Sequence, residues 1–253
     1  MSIHGVEIYY TVQGEGIPII FVHPPVLSST SFIFQIRELS TKFRVIAFDI
    51  RGHGKSQASQ ESLTYPIIVA DMEELMNGLG VDKAYLCGYS TGGSIVLEFL
   101  LEHPDRAYGG ILIGGISEIH DFRLKARIFL GISLSTLGAF RILALLLAWS
   151  NSIPSIFWRT FQDAKRGNSK NAEQYYRYSL TYDCTKQLPK INIPILLLYG
   201  AQDKGFHSYG HLLHESLPKN ELVFIGHVKH QIPTKATSQL HDEIVRFIDK
   251  HTG

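Results

Sequence analysis

A chain of 253 residues with 45% apolar and 19% charged side chains has enough apolar material for one full core and too much for a disordered segment. A formal net charge of +1 gives no electrostatic reason to expect nucleic acid or an acidic surface as partner. Cys87 and Cys184, the only cysteines, stand in no metal-type spacing and fit a reducing, cytoplasmic home.

The N-terminus has no basic region followed by an apolar core, so no signal peptide is expected. Gly5 to Gly14 alternates like one strand of a hairpin, with Val6, Ile8 and Tyr10 on one face. Pro18 to His23 is a short continuous apolar run, the signature of a strand covered on both faces. A helical stretch follows near 32–40, and Arg44 to Asp49 is a second apolar strand. Ile67 to Leu79 reads as a helix stopped by Gly80. A strand over 84–90, a helix to His103 and a strand over 110–114 come next. Strands at 194–199 and 221–225 and an amphipathic helix over 235–250 close the chain. Buried-type strands alternating with helices predict an α/β class with a mainly parallel sheet and helices on both faces.

One long stretch, 117–190, has no strand signal and is rich in aromatics such as Phe122, Trp149 and Tyr175. It is too long for a loop and must carry its own helices. Within it, Ile128 to Trp149 carries a single charge, Arg141, yet Gly131, Ser133 and Gly138 interrupt the run before the ~20 apolar residues that a membrane span requires. A buried or ligand-facing helical element is the better reading, and a membrane partner is not expected.

Gly88-Tyr89-Ser90-Thr91-Gly92 lies where a strand ends and a helix begins, which is the G-x-S-x-G nucleophile elbow. In so tight a turn, side chains two residues either side of the serine would collide, so both positions favour glycine. Helix N-termini favour developing negative charge. A serine hydroxyl needs a base to take its proton and a third group to orient that base. Asp203 lies just past the strand 194–199, where ligand-facing groups collect in an open α/β sheet. Two histidines compete as base. His227 lies two residues beyond the strand 221–225, close to its hydrogen-bonded end. His230 lies five beyond, far enough for the loop to fold its imidazole toward Ser90, and loop geometry favours it. The other histidines show no metal-type spacing, and His207, His211 and His214 read as solvent-facing on a helix. No G-x-G-x-x-G or phosphate-binding loop occurs, so neither metal nor other cofactor is expected.

Taken together, His23 after its strand, Asp49-Ile50-Arg51-Gly52-His53-Gly54-Lys55-Ser56, the elbow, Tyr199 to Asp203 and the terminal histidine loop make nearly the whole chain resemble the α/β-hydrolase fold superfamily. The resemblance is to its smaller esterase- and lactonase-like members with a helical cap. It implies a hydrolase core over 1–116 and 191–253 and a cap over 117–190. It also implies Ser90, Asp203 and His230 as triad, with Arg51, His53 and Ser56 fixing a loop rather than acting in catalysis. His23 and Tyr89 are expected beside the substrate.

The resemblance also exposes a departure. One oxyanion donor would be the Thr91 N–H, and the second the backbone N–H two residues after His23. That position is Pro25, which has no N–H. The loop can shift so that Val26 N–H serves, with a cis Pro24–Pro25 bond as one means. A Ser28 or Ser29 hydroxyl can substitute, or the protein is slow or specialised. The expected function is cofactor-free hydrolysis of a small apolar ester or lactone by a monomer or homodimer. A ligand receptor with little turnover, and a carbon–carbon hydrolase or perhydrolase with the same triad, stand beside it. Dehalogenase and epoxide hydrolase chemistry is disfavoured, since such enzymes carry aspartate at the Ser90 position.

Overall fold

A computed structural model describes residues 1–252. The chain opens with a small antiparallel hairpin, β1 (Ser2–Ile3) and β2 (Val6–Glu7), before entering the main sheet at β3 (Tyr10–Gln13). The single strand expected over 5–14 is therefore two strands in two sheets. The break falls at Ile8 and Tyr9. The Ile8 N–H turns to Met1 O (2.9 Å), while the Tyr9 N–H takes Ser56 Oγ (2.9 Å).

The remaining elements follow in order: β4 (Pro18–Val22), α1 (Ile33–Leu39), β5 (Arg44–Phe48), α2 (Tyr65–Gly78), β6 (Ala84–Tyr89), α3 (Thr91–Glu102) and β7 (Ala107–Ile113). Four helices then intervene, α4 (Phe122–Thr136), α5 (Phe140–Asn151), α6 (Phe157–Ala164) and α7 (Ser169–Thr181). The chain returns with β8 (Ile195–Gly200), α8 (Lys204–Ser216), β9 (Asn220–Ile225), α9 (Ile232–Lys235) and α10 (Thr237–Thr252). The helix expected over 235–250 thus splits at Ala236, whose φ of −138° and ψ of 45° leave the helical region.

The seven-stranded sheet has the order β3-β5-β4-β6-β7-β8-β9, parallel except for β3. Alternate residues of each central strand enter opposite apolar layers. Ile20, Val22, Leu86, Leu112 and Leu197 pack with α2, α3 and α8; Ile19, Phe21, Cys87, Ile111 and Leu198 pack with α1 and α10. Both faces being covered is why these strands read as unbroken apolar runs.

From β4 the chain steps to β5 on one side, then crosses back to β6 on the other. The order reverses between β4 and β6, and a crevice opens beyond their C-terminal ends. The segment after β4 and the elbow after β6 therefore meet by topology alone. The two ends of the inserted helical stretch also meet. Cys184 N–H donates to Ser117 O (3.1 Å), and the Ser117 and Thr185 hydroxyls share a 2.8 Å hydrogen bond.

Candidate active site

Ser90 has φ 55° and ψ −125°, a conformation that side chains rarely adopt. It is the residue preceding α3, yet its side chain makes no capping hydrogen bond, so the hydroxyl remains free for other partners. A Cβ on Gly88 would stand 2.4 Å from Gly92 O, and one on Gly92 would stand 2.2 Å from Val22 O. The glycine spacing of the elbow is thus enforced both by the turn itself and by the neighbouring strand β4.

Ser90 Oγ lies 3.0 Å from His230 Nε2, and His230 Nδ1 lies 3.0 Å from Asp203 Oδ2. A carboxylate only accepts, so Nδ1 carries the proton and Nε2 is left to accept from the serine hydroxyl. Asp203 precedes α8, and its backbone N–H donates to Gly200 O (2.9 Å). The segment carrying His230 crosses Gly200 so closely that a Cβ there would stand 2.1 Å from Lys229 O. The imidazole packs against Phe206 (4.1 Å between centroids) and Tyr89 (5.4 Å). His227 is exposed, at φ 57°, and makes no hydrogen bond to Ser90 or Asp203.

Gly114 is the contributor that sequence reasoning missed. It follows β7 at φ 58°, and a Cβ there would stand 2.7 Å from His230 Cε1. A glycine closing an apolar strand was the only signal for it, and strand ends carry many glycines.

The segment after β4 holds a correction. His23, expected beside the substrate, is completely buried and does not line the cavity. Its Nδ1–H donates to Pro24 O (2.9 Å) and its Nε2 accepts the Ile50 N–H (2.9 Å). Accepting that N–H requires the neutral ring, and burial lowers the His23 pKa to about 4, against a smaller opposing contribution from the Pro24 hydrogen bond. His23 thus joins two loops. There is no cis peptide bond among the described residues, so Pro24–Pro25 is trans. Val26 instead takes φ 70°, strained for a β-branched residue, and no backbone carbonyl among the described residues accepts its N–H.

The D-x-R-G-x-G-x-S run is locked in place by its own side chains. Asp49 accepts from Ser29 N–H and Lys55 N–H (2.8 Å each), Arg51 grips buried Asp71 through two nitrogens, and Ser56 Oγ donates to Asp49 O. His53 is buried, which lowers its pKa to about 3, with His23 adding in the same direction. His207, expected toward solvent, is half-buried and bonds Gly200 O through Nε2 (3.0 Å).

Ser90, Thr91, Tyr89 and His230 open onto a cavity of about 420 Å³. Residues of α4 and α5 supply about half of its lining, chiefly leucines and isoleucines such as Leu124, Ile128, Leu134 and Leu143. Tyr89, on the wall, donates its hydroxyl to Asn151 Oδ1 (2.8 Å). Among the described residues no three His, Cys, Asp or Glu side chains stand together as a metal site, and no helix is long and apolar enough to cross a membrane.

The family model described as the alpha/beta hydrolase fold matches residues 17–233. An uncharacterized carboxylesterase of Bacillus subtilis is 27% identical over 249 residues, spanning 93% of this chain and 80% of that protein. A bifunctional esterase/perhydrolase of Acinetobacter calcoaceticus is 25% identical over 271 residues, 96% of each. Among solved structures, the enol-lactonase from Burkholderia xenovorans superposes with a TM-score of 0.88 at 19% identity, covering 98% of this chain and 99% of that one. An esterase from Exiguobacterium antarcticum gives 0.88 at 21% identity, covering 98% and 97%. With most of its length inside that family model, the chain belongs to the alpha/beta hydrolase fold family.

Proposed function

We propose that Ser90, His230 and Asp203 act as a catalytic triad that cleaves small apolar carboxylic esters or lactones, with residues 117–190 serving as a cap over the site. The observation that carries this reading is the pair of 3.0 Å hydrogen bonds linking the three side chains at the floor of an apolar cavity. Ser90 Oγ attacks the ester carbonyl while His230 Nε2 takes the hydroxyl proton, and Asp203 stabilises the imidazolium. The tetrahedral oxyanion is met by the Thr91 N–H, at the head of α3, and by the Val26 N–H, the first available after two prolines. Collapse breaks the ester C–O bond, and His230 gives its proton to the leaving alcohol. Water, deprotonated by the same imidazole, then attacks the acyl-serine and releases the acid. In a lactone the alcohol and acid remain joined as one hydroxy acid.

The cavity selects chiefly by shape and apolarity, because its cap-side wall is mainly hydrocarbon, with Arg127, Ser150, Asn151 and Tyr176 among its polar groups. Incubation with a fluorophosphonate probe and turnover of p-nitrophenyl acetate and butyrate test the reading. Labelling and turnover in the wild type that vanish in Ser90→Ala support it. Labelling without turnover points to a ligand receptor, and absence of labelling overturns the triad.

A further inference from the structure

The helices α4 and α5 each bury one face and leave another, strongly apolar, in water. On α4 and its C-cap the outward side chains include Phe122 (83% exposed), Phe129, Leu130 and Leu137 (80%). On α5 they are Ile142, Leu145, Leu146 and Trp149 (74%), spaced 3, 1 and 3 residues apart and hence on one stripe. Exposed apolar patches of this kind on a chain otherwise of ordinary composition mark a contact surface.

The charges around the stripe narrow its occupant. From Phe122 to Gln162 the chain has Arg123, Lys125, Arg127, Arg141 and Arg159 and no acidic residue. The whole chain is close to neutral, so the cationic excess is local. Both tryptophans of the chain, Trp149 and Trp158, lie in this stretch and are largely exposed, and tryptophan favours the boundary between hydrocarbon and headgroup. A second copy applied face to face would bring like charges together. A surface of anionic lipid matches the apolar stripe and the cationic flank at once.

The stripe also coincides with the way into the site. Leu130, Leu146 and Trp149 are exposed and at the same time line the cavity above Ser90. We infer that the α4–α5 face docks on anionic lipid surfaces, so that the cavity mouth opens against the lipid and an ester dissolved there reaches Ser90 without crossing water. The route to Ser90 rests on the hydrolase reading above; the docking itself does not.

Co-sedimentation with phosphatidylcholine vesicles, with and without phosphatidylglycerol, tests the docking independently of turnover. Wild type and Ser90→Ala should pellet with the phosphatidylglycerol vesicles, and less with phosphatidylcholine alone. A Phe129→Ser/Leu137→Ser/Ile142→Ser variant alters only water-exposed side chains outside the cavity wall. It should lose on the order of tenfold in partitioning while hydrolysing soluble p-nitrophenyl butyrate like wild type. Arg123→Gln/Arg141→Gln should lose a similar factor on anionic vesicles alone. Wild type that stays in the supernatant, or a triple variant that pellets equally, overturns the inference. So does a wild-type dimer in sedimentation velocity that the triple variant converts to monomer, because a second copy would then cover the face. If vesicles are bound but soluble esters are not cleaved, docking stands and the hydrolase reading falls; the reverse result separates them the other way.

Discussion

The Tyr89 hydroxyl donates to Asn151 Oδ1 at 2.8 Å, joining the residue just before Ser90 to the last turn of α5. The Asn151 backbone carbonyl in turn accepts from Thr234 Oγ1 (2.8 Å), four residues beyond His230. One asparagine therefore touches both the segment that carries the serine and the segment that follows the histidine. Burial keeps the Tyr89 phenol protonated, with Asp203 acting in the same direction, so the hydroxyl stays a donor.

Removing that hydroxyl in Tyr89→Phe should loosen α5 over the cavity without disturbing the reacting groups. KM for p-nitrophenyl butyrate should rise about fivefold, the worth of about 1 kcal/mol, with kcat changed less than twofold. A fall in kcat at constant KM would show that the hydroxyl acts on the reacting atoms instead.

His230→Ala should lower kcat by about 10⁴-fold or more, since it removes the imidazole hydrogen-bonded to Ser90 Oγ. His227→Ala, at an exposed turn, should leave kcat within about twofold. Steady-state rates on one ester for both variants decide it, and the opposite ranking overturns the choice of base.

Gly114→Ala places a methyl 2.7 Å from His230 Cε1 at a residue with φ 58°. The ring must shift from the position in which it meets Ser90 at 3.0 Å, and kcat should drop by on the order of 100-fold. The backbone strain should also lower the unfolding free energy by about 1 kcal/mol. Fluorophosphonate labelling rates, read beside a urea titration, separate the two effects.

Acid should destabilise the fold through His23 and His53. Above the ordinary histidine pKa of 6.5, both are neutral folded and unfolded, and their contribution is fully present. Below 6.5 the unfolded chain takes up protons that the folded chain refuses until about pH 4 for His23 and about 3 for His53. Stability should therefore fall with decreasing pH by about 1.4 kcal/mol per pH unit for each ring. Asp49, whose pKa burial raises, binds its proton earlier in the folded chain and offsets part of the loss toward acid. Urea midpoints across this range measure the slope, and His53→Gln should make it shallower; an unchanged slope refutes the assignment.

The central sheet was readable because parallel strands covered on both faces leave apolar runs. Those at 18–23, 44–49 and 84–90 fall within about a residue of β4, β5 and β6. The first strand was misread because Val6, Ile8 and Tyr10 keep a two-residue period across a change of sheet, and periodicity does not reveal which partner a strand meets. Ser90, Asp203 and His230 could be singled out because each follows a strand at its C-terminal end. Gly114, Asn151 and the inward turn of His23 could not, since each depends on a neighbour far away in the chain: His230, Tyr89 and Ile50. The prolines after His23 announced that Pro25 could donate no N–H. Only the backbone shows the positive φ of Val26 and the trans Pro24–Pro25 bond.

The hydrogen bonds between Ser117 and Cys184 and between Ser117 and Thr185 bring together the points where four helices leave and rejoin the sheet. A detour whose two feet already touch imposes no length on what runs between them, because the span from β7 to β8 is closed beneath it. Helices could be lengthened, shortened or traded for others within that detour while the strands, the elbow and the histidine segment kept their places. Under the proposed function, selectivity and chemistry would then reside on separately editable stretches of one chain.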